Sequence, residues 1–191
     1  MRKILFVLFT LGSIFSATAQ DIWTIDKGHS NIIFTVTHMV VSEVDGEFMD
    51  FEGTLTGGDE NFNGSAVEFT AKTSSVNTGN TKRDAHLQSD DFFNSEAFPN
   101  ITFKGKLVKE GNLYFLVGDF TMRDVTKEVR FPVKYNGKID TGRGIVAGFK
   151  ITGTLNRFDY GLKWNSAIEA GGLVVAEDVE LTCKIELRQK K

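Results

Sequence analysis

The chain carries one cysteine, two prolines and three histidines in 191 residues, and each scarcity removes a class of protein. A single cysteine, Cys183, allows no internal disulfide, so the fold is not a small scaffold stapled by cystines. A three-histidine metal site needs His29, His38 and His86 to converge. His29 and His38 stand an odd number of positions apart, which on one continuous strand turns them to opposite faces, so no metal site is expected. Positive charge is also short: 22 lysines and arginines against 25 aspartates and glutamates give a formal net charge of −3. That balance excludes nucleic acid as a partner and docking on anionic lipid by charge alone. Also missing are Gly-x-Ser-x-Gly, His-Glu-x-x-His, a phosphate-binding glycine loop and Cys-x-x-Cys-His. Asp90-Asp91, and Asp45 with Asp50, read as solvated turn residues. No catalytic residue and no cofactor is assigned, and an enzyme is not expected.

The one long apolar run stands at the start. Arg2 and Lys3 precede an apolar stretch from Ile4 to about Phe15, followed by Ala17-Thr18-Ala19, which is the layout of a secretory signal peptide cleaved after Ala19. The stretch is shorter than the roughly 20 residues that span a bilayer. Residues 1–19 are therefore expected to be removed, leaving residues 20–191 as a single domain in the periplasm or secreted. Loss of Arg2 and Lys3 takes the formal charge from −3 to −5.

The remainder alternates with period two, the mark of strands with one apolar face. Val67, Phe69 and Ala71 oppose Glu68, Thr70 and Lys72; Val129, Phe131, Val133 and Tyr135 oppose Glu128, Arg130, Pro132 and Lys134. Ile32, Phe34, Val36 and His38 share a face, as do Ile145, Ala147, Phe149 and Ile151, and Ile101, Phe103 and Leu107. Cys183 is in phase with Val179, Leu181, Ile185 and Leu187 and reads as a small core residue. Turn chemistry at Gly57-Gly58, Glu110-Gly111-Asn112, Asn136-Gly137 and Thr141-Gly142-Arg143-Gly144 separates the strands. Pro132 on an outward face predicts an edge or a bulge. This pattern gives a sandwich or a barrel and does not choose between them.

Alternation stops between Thr81 and Phe103, where Thr-Lys-Arg-Asp-Ala-His-Leu leads through Phe92-Phe93 to Phe98-Pro99. Residues 81–97 are the candidate for a short helix, with Asp90-Asp91 near a cap. Arg83, Asp84 and His86 beside so much aromatic surface predict the mouth of a cavity. Arg83-Asp84 has two readings, a local surface pair or an arginine turned toward an anionic group. Arg157 sits between Leu155 and Phe158, its stem on apolar surface, with Asp159 or a ligand as partner. Of 17 phenylalanines only Phe6, Phe9 and Phe15 belong to the leader; the rest either fill the interior or line it.

The wording of that central segment, Arg83-Asp84-x-His86-Leu87, then Phe92-Phe93, then Phe98-Pro99-x-Ile101-x-Phe103, resembles the YceI-like family. So do Trp23-x-x-Asp26-x-x-His29-Ser30, Phe34 and His38, Gly46-x-Phe48, Val125-Thr126-Lys127, and Asn156-Arg157-Phe158-Asp159-Tyr160-Gly161. The resemblance runs from about Trp23 to Leu187. One departure is Asp124, where the family usually has glycine before Val-Thr-Lys; aspartate tolerates a left-handed turn, so the hairpin is expected to survive.

The resemblance implies an all-β, lipocalin-like, eight-stranded antiparallel barrel that binds a long isoprenoid lipid, a polyprenyl phosphate or an isoprenoid quinone, for transport or storage. Its apolar tunnel would be lined by Phe34, Val36, His38, Phe48, Phe69, Phe92, Phe93, Phe103, Phe131 and Phe149. Arg83, His86 and Arg157 would stand at the head group or mouth. It also suggests a homodimer. The alternatives are an accessory module for a membrane electron-transfer or stress-response partner, and an enzyme acting on an amphiphile held in the same tunnel. Charged outward faces speak against insertion in an outer membrane.

Overall fold

In the computed structural model, residues 21–166 and 174–190 are described; the expected signal peptide lies outside them. The strands are β1 (Ile22–Ile25), β2 (Asn31–His38), β3 (Ser42–Phe48), β4 (Phe51–Thr56), β5 (Ala66–Lys72), β6 (Val76–Asn77), β7 (Asn100–Glu110), β8 (Leu113–Met122), β9 (Val125–Asp140), β10 (Ile145–Asn156) and β11 (Val175–Gln189). One α-helix, α1, spans Thr81–Gln88. Pairing runs β1-β4-β5-β7-β8-β9-β10-β11, and β11 returns to β1 through Leu187–Ile25 and Gln189–Trp23. The expected eight-stranded antiparallel barrel is therefore closed, and the alternative of a sandwich falls away.

The three strands outside that ring, β2, β3 and β6, are the far halves of bent ones. β11 pairs with β1 at one end and with β2 further along, from Val179–Val36 to Lys184–Asn31, so β1 and β2 are one strand broken at Lys27–His29. β3 continues β4 and β6 continues β5 in the same way. The breaks lie side by side and are tied together. Asp26 Oδ1 accepts from Gly28 N (2.9 Å), Lys27 Nζ pairs with Asp50 Oδ1 (3.0 Å), and Met49 N donates to Ser75 O (3.1 Å).

Most hairpins follow turn chemistry. Arg123 and Asp124 both take positive φ, 49° and 57°, the geometry of a two-residue primed turn, so aspartate does replace glycine there. Two local expectations are corrected. Asn136-Gly137 is not a turn: β9 runs through it as a bulge opposite Gly148/Phe149, the glycine absorbing the distortion at φ 114°. The helix is shorter than the expected 81–97: Asn80 caps its start, its side chain accepting from Lys82 N and Arg83 N, and it ends at Gln88 with Ser89 as C-cap, beside Asp90-Asp91.

The interior divides along the barrel axis. At one end Trp23, Phe62, Tyr135 and Phe149 form a plug, Phe62 standing edge-on to the other three with centroids 5.1–5.6 Å away. At the other end α1 and residues 89–98 fold over the opening and bury Phe92 and Phe93.

Candidate functional site

Between these ends lies a cavity of about 230 Å³, well beyond the voids of a packed core. Its wall follows from strand alternation: Phe34 and Val36 from β2, Phe48 from β3, Phe69 from β5, Phe103 from β7, Phe131 from β9 and Phe149 from β10. Phe92 and Phe93 close over it from residues 89–98. Leu116, Ile151, Leu181, Cys183 and Ile185 line it too, yet none of these five, nor Phe69, is fully buried. Burial away from water pushes the Cys183 thiol up to about 12, so it stays protonated, a wall residue and not a nucleophile.

Rings lean across strand boundaries where a neighbour has no side chain. Phe34 covers Gly46, at which an added Cβ would come within 2.2 Å of the ring; Phe131 covers Gly153 at the same distance. Aromatic alternation identified these walls from sequence. The glycines beneath were not recognised as their seats.

The polar residues distribute differently from expectation. Arg157 reaches the cavity and is 3% exposed. Its guanidinium donates to backbone carbonyls of Ala176 (2.8 Å), Leu162 (2.6 Å), Trp164 (2.8 Å) and Val175 (3.0 Å). Asp159 is not its partner, because that carboxylate pairs with Lys127 (2.8 Å). Arg157 has no ion pair among the described residues, and burial pulls its pKa down, with Glu177 opposing weakly.

Arg83 does not reach the cavity. Its Nε and Nη2 donate to Thr78 Oγ1 (2.7 Å) and Thr78 O (2.9 Å), while Asp84 Oδ1 accepts from the same threonine's N and Oγ1. The pair is a local brace between α1 and the preceding turn. His86 also lies outside the lining, edge-on to Phe92 and Trp164 (centroids 5.0 and 4.9 Å), with Nε2 on Asp91 (2.8 Å). His38 departs from its expected place in the wall: it ends β2 beyond Val36, paired with Ser42 and Val175, past the last lining position.

Sequence reading missed Arg123. From the β8–β9 turn it donates to Phe92 O (2.8 Å) and Gly161 O (3.0 Å), so it holds the segment carrying the capping phenylalanines. Nothing in Arg123-Asp124 as a hairpin signal shows that reach. Asp26, His29 and Glu186 bring three possible metal ligands together, but Arg188 pairs with both carboxylates and supplies the positive charge a cation would bring.

A family model described as a YceI-like domain matches residues 23–187. A UPF0312 protein of Staphylococcus aureus strain N315 is 38% identical over 166 residues, covering 86% of this chain and 95% of the relative. The solved Campylobacter jejuni YCEI protein is 28% identical with a TM-score of 0.69, over 81% of this chain and 90% of that one. A polyisoprenoid binding domain from Saccharophagus degradans has the same fold, with a TM-score of 0.63 at 14% identity, over 88% of this chain and 98% of that one.

Proposed function

This chain belongs to the YceI-like family, and we propose on that premise that its barrel takes up the apolar chain of an isoprenoid lipid. One observation carries the reading: an apolar hollow that a packed core would have filled runs inside the barrel, and inward residues such as Phe69, Leu116, Ile151 and Ile185 are only half-buried beside it. The neighbouring polyisoprenoid binding domain supports the ligand class. Cavity chemistry supports it as well, since Glu68, Arg157 and Thr54 are the polar residues among lining that is otherwise aliphatic, aromatic, glycine or the sulfur side chains of Met122 and Cys183.

The energetics suffice without a strong polar contact. At about 0.8 kcal/mol per methylene, burying 20 carbons is worth roughly 16 kcal/mol. Lost freedom of motion removes about 4–15 kcal/mol of that, against the roughly 8 kcal/mol a micromolar complex needs. Chain length therefore governs affinity more than head group. A polyprenyl phosphate and an isoprenoid quinone remain the two head-group classes; Arg157 is the cation among the lining residues, with four of its N–H bonds given to backbone carbonyls. The protein acts by carriage or storage without chemistry on its ligand, in the periplasm or outside the cell after cleavage at Ala19.

Titration with prenyl alcohols of about 15 to 55 carbons, followed by tryptophan fluorescence, tests this reading. Affinity should rise with chain length to saturation. Equal, weak binding of all lengths overturns it. Recovery of the processed protein with Gln20 first supports the location; full-length protein in the membrane fraction contradicts it.

A further inference from the structure

The barrel wall has a window. β9 and β10 pair from Asp140–Ile145 as far as Val133–Ile151, and there the ladder stops, although β9 continues to Val125 and β10 to Asn156. The first position without a cross-strand partner on β10 is Pro132, which has no N–H to give a ladder. Beyond it β9 stays paired with β8 and β10 with β11, so two strand pairs part along a common edge. The gap is closed again at its far end by the Lys127–Asp159 ion pair.

A surface groove of about 650 Å³ occupies the gap. Outward residues Thr152, Thr154 and Glu180 form its rim, and Phe131, Gly153 and Leu181 its floor. Arg130 is drawn away over β8, its guanidinium 3.8 Å from the Phe115 ring centre and 2.7 Å from Glu110 Oε2, which leaves the β10 side open. Phe131 and Leu181 also line the inner cavity, so one layer of side chain separates groove from hollow. The Phe131 ring rests on Gly153 without a backbone bond across the gap.

We infer that this window is a lateral port, gated by Phe131, through which the polyprenyl chain passes between the cavity and the outer groove. The inference rests on the proposed lipid binding. The aromatic plug of Trp23, Phe62, Tyr135 and Phe149 blocks one barrel end, and α1 with residues 89–98 covers the other, so the window offers a chain a path in and out through the wall. Phe131 is a positioning residue here: its ring swings from the Gly153 seat, and the floor opens with no strand displaced.

The port is tested by exchange kinetics of a fluorescent prenyl alcohol of about 20 carbons. In Arg130→Cys/Thr154→Cys, two outward positions that face each other over the gap, joining the thiols with a short bis-maleimide should slow both uptake and release at least tenfold, with Kd unchanged within twofold. Gly153→Ala, whose methyl displaces the Phe131 ring, should speed both. Unchanged rates in the joined protein overturn the port. If the unjoined protein fails to bind the probe, lipid binding itself is refuted. The window is then read through Cys183 in the wall. Alkylation by uncharged N-ethylmaleimide is slow while burial holds this thiol protonated; the window opened in Gly153→Ala admits water and reagent and should speed it at least tenfold, and equal rates overturn the port on its own.

Discussion

At one end of the barrel Trp23, Phe62, Tyr135 and Phe149 stack on one another; towards the other, Phe34, Phe48, Phe92 and Phe93 stand around space. Similar residues produce a plug in one place and a wall in the other, and the difference lies in what each ring meets. Phe62 comes from the loop between β4 and β5 and drops into the bore, where three rings already converge. Phe34 instead reaches over Gly46 of the next strand with the tip of its ring, so part of its volume is taken up within the wall and space remains beside it. Aromatic content does not decide whether a barrel is filled. The placement of glycine beside it does.

The largest effect that sharpens this contrast is on stability. Phe62→Ala should cost about 3–5 kcal/mol, the range for deleting a fully packed ring. Phe69→Ala, on the cavity wall, should cost no more than about half as much, because one side of its ring has no packing partners to lose. Urea denaturation of the two variants checks the order, and equal losses would mean that the cavity side is packed as tightly as the plug.

Next is the comparison of the two arginines at the capped end. Arg157→Met strands four carbonyls that a buried guanidinium now satisfies and should cost about 3 kcal/mol or more. Arg83→Ala removes only the part-exposed brace to Thr78 and should cost about 1 kcal/mol. Should Arg83→Ala weaken binding of a prenyl phosphate but not of a prenol of equal length, its assignment as a brace alone is wrong.

The two tryptophans report the ends separately. Trp23 belongs to the plug, whereas Trp164 packs on Phe92 with centroids 5.4 Å apart. Prenyl alcohol should shift the emission of Trp164 and leave that of Trp23 unchanged, so Trp164→Phe should abolish the spectral change and Trp23→Phe should preserve it.

These contrasts show where sequence sufficed. Period-two alternation placed Phe34, Phe69, Phe103, Phe131 and Phe149 inward because a strand has only two faces, and β-barrel closure added nothing to that rule. Pro132 was legible as an interruption, yet β9 is no edge strand: the interruption is a partial loss of pairing inside a closed sheet. His86 does pack on Phe92 at the capped end, whereas Arg83 and His38 stand outside the lining, because residue type announces chemistry without direction. Arg83 finds acceptors five residues back in the chain before it can reach a cavity. Arg123 was missed for the opposite reason, since its acceptors lie on segments distant in sequence.

The smallest effect is at the strand break beside β1. Arg188, with His29 and the Gly28 amide, lowers Asp26 to about 2, against the partial opposition of its own burial. A carboxyl group depressed in the folded state stabilises above its unfolded pKa, and that stability is lost as pH falls through the folded value. Stability should therefore decline between about pH 4 and 2 in the wild type. Asp26→Asn should remove that part of the slope, as thermal melts across this range would show.

The central claim is that the barrel is hollow for a lipid, and lipid extraction tests it most directly. Organic extracts of the purified protein and of a Phe69→Glu variant, analysed by mass spectrometry with circular dichroism as the check on folding, separate a tunnel from a packed core. The account predicts prenyl-chain ions from the wild type and none from a variant that keeps its β-sheet spectrum. A wild type that yields no isoprenoid and takes up none when it is supplied, or a Phe69→Glu chain that simply unfolds, would contradict it.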